Sequence, residues 1–486
     1  MIGLLIQDNA YEQDIRELLM SFYPGETYAH EVKEGVDFYV QTRLEDGEAV
    51  IGIWEKLENG EELEGWTLTA HSTGKADLSD HSATKNVIKK LFYQMLVKRT
   101  GHELPWGSLT GIRPTKIALS RLEDGWKEED IRKFMKETYM TSDEKINLSI
   151  EIAAREKRLL EPLDYDRGYS LYVGIPFCPT TCLYCSFTSY PISKWKGRTG
   201  LYLEALFKEL EYTAEKMKGR PLDTIYFGGG TPTSLPAEDI DAILCKLEQL
   251  FDTKNALEFT VEAGRPDSIT EEKLKVLASH GISRISINPQ TMNQKTLDLI
   301  GRRHTVENVK EKFHIARELG FDNINMDLIM GLPGEDLDDV KHTLEEIEAL
   351  KPDSLTVHSL AIKRAARLNM FKEEYADLKI SNTPEMIALS EACARRMGME
   401  PYYLYRQKNM AGNFENVGYS LPGKACIYNI LIMEEMQTIA ACGAGTTTKV
   451  VFPSENRRER CENVKEVEQY ISRIDEMIGR KEKIIH

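Results

Sequence analysis

From Ser170 to His358 the sequence repeats one rhythm: a short apolar run, a loop, then a longer amphipathic stretch. The short runs are Tyr172–Ile175, Thr224–Phe227, Glu258–Glu262, Arg284–Ile287, Asn323–Leu328 and Ser354–His358. The longer ones are Tyr202–Lys218, Ala237–Phe251, Glu271–Ser279, Gln294–Ile300, Val306–Leu319 and Leu337–Leu350. Six βα units of roughly 30 residues predict a parallel sheet with helical crossovers. Right-handed crossovers curl such a sheet toward a barrel. Six strands fall short of the eight of a closed barrel. The expected class is therefore α/β, an open, partial (βα)6 TIM-type barrel. In such sheets chemistry gathers at the carboxyl ends of the strands.

The flanks read differently. Residues 1–165 are expected to form an α+β region of unknown role. Met1–Asp8 starts as a strand. Val36–Gln41 and Glu48–Trp54 alternate as strands around Glu45-Asp46-Gly47. His81–Arg99 is an amphipathic helix with Val87, Ile88, Leu91, Phe92, Met95 and Leu96 on one side. Trp106 to about Pro162 reads as helical, with a capping-type start at Ser142-Asp-Glu-Lys-Ile. The barrel is expected over 166–380 and a C-terminal extension over 381–486. The extension holds a helix over Pro384–Arg396, an extended run over Glu400–Tyr405 and a mixed segment to Val451. A terminal helix carries Val464, Val467, Tyr470, Ile471, Ile474 and Ile478.

Charge and hydropathy exclude some functions. The net charge is −16, from 62 basic and 78 acidic residues. Such a surface repels phosphate backbones, so no nucleic-acid partner is expected. No apolar stretch approaches the ~18 residues of a membrane span. No cationic start precedes an apolar segment, so no signal peptide is expected either. Eight cysteines in a long chain make no disulfide framework, so a reduced, cytoplasmic location is expected.

The loop after the first barrel strand carries Cys178, Cys182 and Cys185, spaced C-x₃-C-x₂-C. Three thiolates fill three corners of a [4Fe–4S] cube and leave the fourth iron open for another ligand. A zinc site would need a further ligand, and no histidine lies between 103 and 279. The remaining cysteines, Cys245, Cys393, Cys426, Cys442 and Cys461, are scattered. They are expected to be small buried apolar residues; for Cys426 a haem or thiol ligand is the rival expectation. One βα unit after the cysteine loop comes Gly228-Gly-Gly-Thr-Pro-Thr233. Glycine there lets backbone approach a ligand closely.

Cys178-x₃-Cys182-x₂-Cys185 followed by Gly228-Gly-Gly-Thr231 resembles the radical S-adenosylmethionine (SAM) superfamily. Tyr172-Val-Gly-Ile-Pro-Phe-Cys178, Val261-Glu262-Ala, Gln290, Arg302 and Asp327-Leu-Ile-Met-Gly-Leu-Pro333 resemble the oxygen-independent coproporphyrinogen III dehydrogenases. Trp106-Gly-Ser-Leu-Thr-Gly-Ile-Arg-Pro-Thr-Lys116 is similar to that family's HemZ-like branch. The resemblance implies a [4Fe–4S] cluster on Cys178, Cys182 and Cys185, with SAM chelating the fourth iron. It implies SAM contacts from Tyr172, Tyr184, Gly229, Gly230, Thr231, Glu262, Gln290, Arg302 and Asp327. Tyr184 would lie beside the adenine, Arg302 would pair with the methionine carboxylate, and Tyr172 would serve catalysis with the three cysteines.

The implied activity is oxidative decarboxylation of coproporphyrinogen III to protoporphyrinogen IX in haem biosynthesis. A low-potential donor such as flavodoxin or ferredoxin would supply electrons. Two positions depart from the family pattern: Phe187 stands where a fourth cysteine is usual, and Gly174 where a histidine is. Both departures keep two alternatives open, a haem-binding chaperone-like protein and a radical SAM enzyme that modifies a tetrapyrrole. Lys363, Arg364, Arg367, Arg406 and Lys408 are candidate partners for substrate propionates, and Arg113 and Lys116 are ambiguous.

Overall fold

Asp46 and Gly47 both take positive φ, 49° and 79°, as the two central residues of a tight hairpin with matching twist do. They join β3 (Phe38–Glu45) to β4 (Glu48–Glu55) in a five-stranded sheet. Its other members are β1 (Ile2–Ile6), β2 (Tyr28–Ala29) and β5 (Thr67–Lys75), in the order β2-β1-β3-β4-β5. Helices Glu12–Phe22 and His81–Thr100 bury Ile15, Leu18, Leu19, Ile88, Phe92 and Leu96 in one core with Ile2, Leu4, Val40 and Ile51. The segment after Trp106 forms helices Thr115–Glu123, Glu128–Tyr139 and Asp143–Leu160. This computed structural model describes all residues except 32–33, 57–64, 112, 188, 362, 364–365, 371–379, 408–413, 456 and 486. The chain divides into two compact units. One takes Met1–Ala154 and a short stretch starting at Arg406; the other takes the rest.

In the second unit the six expected strands all form: β6 (Tyr169–Ile175), β9 (Leu222–Gly229), β10 (Glu258–Gly264), β11 (Arg284–Ile287), β12 (Ile324–Met330) and β13 (Ser354–Ser359). A small ribbon, β7 (Phe177–Cys178) with β8 (Tyr190–Pro191), brackets the cysteine loop. The six strands are parallel and lie in chain order, and the sheet they form is open. The C-terminal segment widens this sheet on both sides. β14 (Glu400–Tyr405) and β15 (Asn416–Ser420) join antiparallel beyond β13. β16 (Thr438–Cys442) joins parallel to β6, and β17 (Thr447–Phe452) and β18 (Arg457–Glu462) follow it antiparallel. The segment read as mixed up to Val451 thus holds three strands and a helix, Ile427–Glu434. The terminal helix is two, Val467–Ser472 and Ile474–Glu482, parted at Arg473.

Strand side chains alternate between the two faces of a sheet, and here the alternation sorts by chemistry. One face carries Ser170, Tyr172 and Gly174; Thr224, Tyr226 and Gly228; Glu258, Thr260 and Glu262; Arg284 and Ser286; Asn325 and Asp327; Ser354, Thr356 and His358. The other carries Leu171, Val173, Ile225, Phe227, Val261, Ile285, Ile287, Met326, Leu328, Leu355 and Val357, all buried. The polar face is knitted across strands. Thr224 donates to Ser170 (2.8 Å), Arg284 to Ser354 (3.3 Å), and Ser354 and Thr356 to Asn325 (both 3.1 Å). Cross-strand polar pairs of this kind satisfy groups that burial would otherwise penalise.

A buried carboxylate ties the C-terminal end to the barrel. Glu209 is fully buried on helix Thr199–Lys216. It accepts hydrogen bonds from Lys481 (2.7 Å), Asn463 (2.7 Å), the Gly443 amide (2.7 Å) and Tyr470 (2.5 Å). Four donors fill a carboxylate's four lone-pair sites.

Candidate cluster and cofactor site

The cysteine loop leaves the end of β6 and is seated by its own apolar residue. Leu183 packs with Ile300, Leu332, Leu360 and Leu368, while its amide donates to Ile300 (3.0 Å) and its carbonyl accepts from Leu368 (3.0 Å). That seat fixes the residues on either side, Cys182 and Tyr184. All eight cysteines are free, and Cys182 is buried with Cys178 and Cys185 partly so. Burial pushes the Cys178 thiol up and Cys185 to about 11, and the other cluster-loop thiols push in the same direction. Thiols that sense one another's charge form one sulfur-only donor set. Such a set suits iron–sulfur chemistry, and metal binding would draw off their protons. The residues present fit a three-cysteine cluster.

Thr231 and Arg265 are among the neighbours that touch the sulfurs. The Thr231 hydroxyl lies 3.5 Å from Cys178 Sγ. Arg265 donates through Nη1 to Cys182 Sγ (3.4 Å) and to the Thr180 carbonyl (2.9 Å). The glycine run presses directly on the loop. The Gly230 amide donates to Ile175 and that of Thr231 to Phe177, both at 2.7 Å. A Cβ on Gly230 would meet the Phe177 carbonyl at 2.6 Å and Cys178 Sγ at 3.0 Å. Gly229 has φ 114° and backs onto Ile175. Gly174, at the family's histidine position, has no room for a side chain: its Cβ would meet the Thr446 methyl at 2.5 Å.

The remaining expected residues converge on the same rim. Glu262, near the end of β10, accepts from Tyr226 (2.5 Å). Burial lifts its carboxyl to about 7; the Tyr226 hydrogen bond pulls it down, and Asp327 pushes it up. Burial also works to lift Asp327, but His358, Asn325 and Arg284 outweigh it and hold that group below the usual carboxylate value. Gln290 sits at φ 71°, pinned between Asp327 and Ile329 by its own backbone. Non-glycine residues held at positive φ cluster at functional sites. Arg302 lies in the loop after helix Gln294–Leu299, with Nη1 on the Asn288 carbonyl (2.6 Å) and Nη2 on Tyr184 (3.1 Å). Most of the fork proposed for a carboxylate is thus taken by protein groups. Gln290 Oε1, Asn288 Oδ1 and Arg302 Nε are buried without a partner among the described residues. Orphaned buried polar atoms are costly, and three on one rim suit a polar ligand there.

Several site residues went unforeseen. Tyr172 stacks with Tyr226 (6.0 Å) and Tyr428 (6.1 Å), and those two with each other (4.4 Å). His358 lies 3.8 Å from Asp327 and 3.3 Å from Tyr405. Arg265 follows Glu262 by three residues. The signal for Tyr226 and His358 was strand parity: Tyr226 pairs with the expected Tyr172, and His358 lies two residues on from Thr356, which pairs with the expected Asp327.

Other expectations require correction. Cys245 is exposed, not buried, because it rides the outer face of helix Ala237–Leu250. Cys426 is fully buried and bonded to Glu258 (3.1 Å), so it has a structural place and no open side for a ligand. Arg406 is buried, donating to the Leu109 carbonyl (2.7 Å) with its guanidinium over Trp106. Arg364 and Lys408 lie outside the described residues. Lys363 stands over the Phe187 ring (5.6 Å), and Arg367 is exposed on the short helix Arg367–Met370. Arg113 and Lys116 lie in the first unit, around the start of helix Thr115–Glu123.

The profile of the Radical SAM superfamily matches residues 172–347. An oxygen-independent coproporphyrinogen-III oxidase-like protein HemZ of Bacillus subtilis (strain 168) is 40% identical over 99% of this chain and 96% of its own length. This chain belongs to that family of radical SAM proteins. A heme chaperone, HemW, of the same organism is 38% identical over 40% of this chain and 51% of its own length. The solved coproporphyrinogen III oxidase HemN of Escherichia coli, described as a radical SAM enzyme, superposes with TM-score 0.52 at 24% identity. That superposition covers 65% of this chain and 71% of that one, and it supports the fold. Radical SAM membership implies a [4Fe–4S] cluster and SAM as cofactors. No helix among the described residues is long and apolar enough to cross a membrane.

Proposed function

We propose that this protein is a radical SAM enzyme that oxidatively decarboxylates coproporphyrinogen III to protoporphyrinogen IX. The observation that carries the reading is the meeting of Cys178, Cys182 and Cys185 with a rim of unpartnered polar atoms at the carboxyl ends of the barrel strands. Likeness to a coproporphyrinogen-III oxidase-like protein over nearly the full chain supports the substrate class. With its cofactors bound, the site supplies a 5′-deoxyadenosyl radical by one-electron cleavage of the sulfonium. Each of two propionates would yield a vinyl group and CO₂, giving one hydrogen atom to the 5′-deoxyadenosyl radical and one electron to an external one-electron acceptor. A low-potential protein of the flavodoxin or ferredoxin class would supply the reducing electron.

The chain's own residues bind, orient and exclude water. Cys178, Cys182 and Cys185 would hold the cluster. Gly229 and Gly230 let backbone come close to SAM, with Thr231 beside them. Glu262 and Asp327 offer acceptors for an ammonium or for ribose hydroxyls, and Gln290 and Asn288 add theirs. Tyr184, held by Arg302, would sit beside the adenine. The Tyr172, Tyr226 and Tyr428 stack offers an apolar aromatic wall of the sort that suits a flat macrocycle. Lys363 and Arg367 are the described cations near the loop suited to propionates.

A second reading, a haem-binding chaperone-like protein, has one observation in its favour. Phe187 stands at the fourth-cysteine position and is 71% exposed. Anaerobic turnover with reductant, SAM and coproporphyrinogen decides between them. Vinyl product with 5′-deoxyadenosine supports the decarboxylase. Stoichiometric haem binding without turnover supports the chaperone. New masses from haem, without vinyl product, point to a tetrapyrrole-modifying enzyme.

A further inference from the structure

Arg265 is the one described cation that touches a cluster-loop sulfur. It stands just past the end of β10, is only 4% exposed, and has its whole fork engaged. Nε and Nη2 grip Asp267 at 2.9 and 2.6 Å. Nη1 divides itself between the Thr180 carbonyl and Cys182 Sγ, and Cys182 is itself buried. A guanidinium clamped on both sides cannot swing away to water. Its planar fork makes this arrangement available to arginine and not to lysine.

We propose that Arg265 is a positioning residue that sets the reduction potential of the cluster, with Asp267 moderating its charge. The inference rests on the three-cysteine cluster reading given above. Reduction adds one electron to the cluster, taken from an external one-electron donor protein of the flavodoxin or ferredoxin class, and so adds one negative charge beside Cys182. Hydrogen bonds to cluster sulfurs, burial and net charge are the protein's means of tuning such potentials. A fixed cation at 3.4 Å favours the more negative, reduced state, and burial strengthens that preference. Asp267 brings a compensating negative charge against the same guanidinium. Removing the cation and removing its counter-charge must therefore move the potential in opposite directions. The clamp on Thr180 gives Arg265 a second task, holding the turn between Cys178 and Cys182 in place.

The test is an EPR-monitored redox titration of the anaerobically reconstituted full-length protein and of Arg265→Gln, Arg265→Lys and Asp267→Asn. Arg265→Gln is expected to disfavour reduction about tenfold, a midpoint about 59 mV more negative for one electron. Arg265→Lys keeps the charge without the fork and should fall between that variant and the parent. Asp267→Asn should favour reduction and raise the midpoint. A purely packing role lowers cluster content or thermal stability without producing opposite signs. Should Arg265→Gln fail to hold a cluster, the signs for Arg265→Lys and Asp267→Asn decide alone. Loaded variants whose midpoints stay at the parent value, or all move the same way, overturn the proposal and leave the cluster reading standing. A parent chain that takes up no cluster overturns both.

Discussion

Two buried polar networks in the second unit are built from the same kinds of side chain and differ in how far the protein satisfies them. Around Glu209, four donors meet four acceptor sites, and Lys481 is 1% exposed with its ammonium on that carboxylate. Around the cysteine loop, Gln290, Asn288 and Arg302 each keep a buried polar atom without a partner among the described residues. His304, buried beside Arg302, keeps both ring nitrogens so, and burial and the Arg302 charge press its pKa down to about 3. A neutral ring there adds no third cation to Arg265 and Arg302. The Glu209 carboxylate is itself fully satisfied within the protein and serves the fold, although Asn463 Oδ1 beside it keeps no partner among the described residues. The second network keeps five such atoms together, and a polar group left unsatisfied costs ~1–3 kcal/mol. Their gathering beside the cysteine loop, rather than any single orphaned atom, is what suits a ligand.

The largest way to break the comparison is at the sulfurs. Cys182→Ser removes the buried thiol that both Leu183 and Arg265 hold in place, and iron content and SAM cleavage should both be lost. A variant that keeps a full cluster and cleaves SAM would move the site elsewhere. Next comes the Glu209 network. Lys481→Met leaves Glu209 charged and short of one donor, and breaking a buried pair from one side costs ~3–5 kcal/mol. Anaerobic denaturant titration should show that loss, while SAM cleavage per loaded chain stays at the parent level. Equal stability with lost cleavage would place the Glu209 network in the active site.

The contrast also explains what could be read from sequence. The six barrel strands were legible because polar and apolar residues alternate along each of them, as in Ser170-Leu-Tyr-Val-Gly and Thr356-Val-His. The cysteine loop and the glycine run were legible because all their chemistry is local. The Glu209 network was not, since its partners lie more than 230 residues away. Glu209 does share a helical stripe with Tyr202, Leu206 and Thr213, and that spacing marks the buried face. β16 was missed because Thr-Ile-Ala-Ala-Cys is short and weakly patterned, and its partner β6 lies far back in the chain. β18, Arg-Arg-Glu-Arg-Cys-Glu, reads as a solvated loop. It is the charged edge of the sheet, where charge discourages pairing with another chain.

A smaller effect sharpens the ligand side of the rim. Glu262 is held at about 7 by burial, so it is mainly a neutral acid below that pH and an anion above it. If the anion is what receives SAM, affinity should rise about tenfold from pH 6 to pH 8. Anaerobic calorimetry over that range checks the slope, and Glu262→Gln should flatten it. A parent slope unchanged in the Gln variant assigns the titration to another group.

The smallest expected effect belongs to Phe187, and it separates the two functional readings without disturbing either network. The ring is largely exposed and meets Lys363 only through its face. Truncation removes little buried surface, so Phe187→Ala should change stability by no more than about 0.5 kcal/mol. Its contact with the Cys185 sulfur is through the backbone N–H, which truncation keeps, so iron content should hold. A decarboxylase that grips its substrate deeper, along the tyrosine stack, should then keep its rate of vinyl formation within about twofold, well under the tenfold that 1.36 kcal/mol of barrier brings. A haem-binding protein that uses this exposed ring as its platform should lose the contact, and spectroscopic titration would show weaker haem binding with the cluster intact. Unchanged turnover with unchanged haem affinity would take away the one observation that favours the chaperone reading.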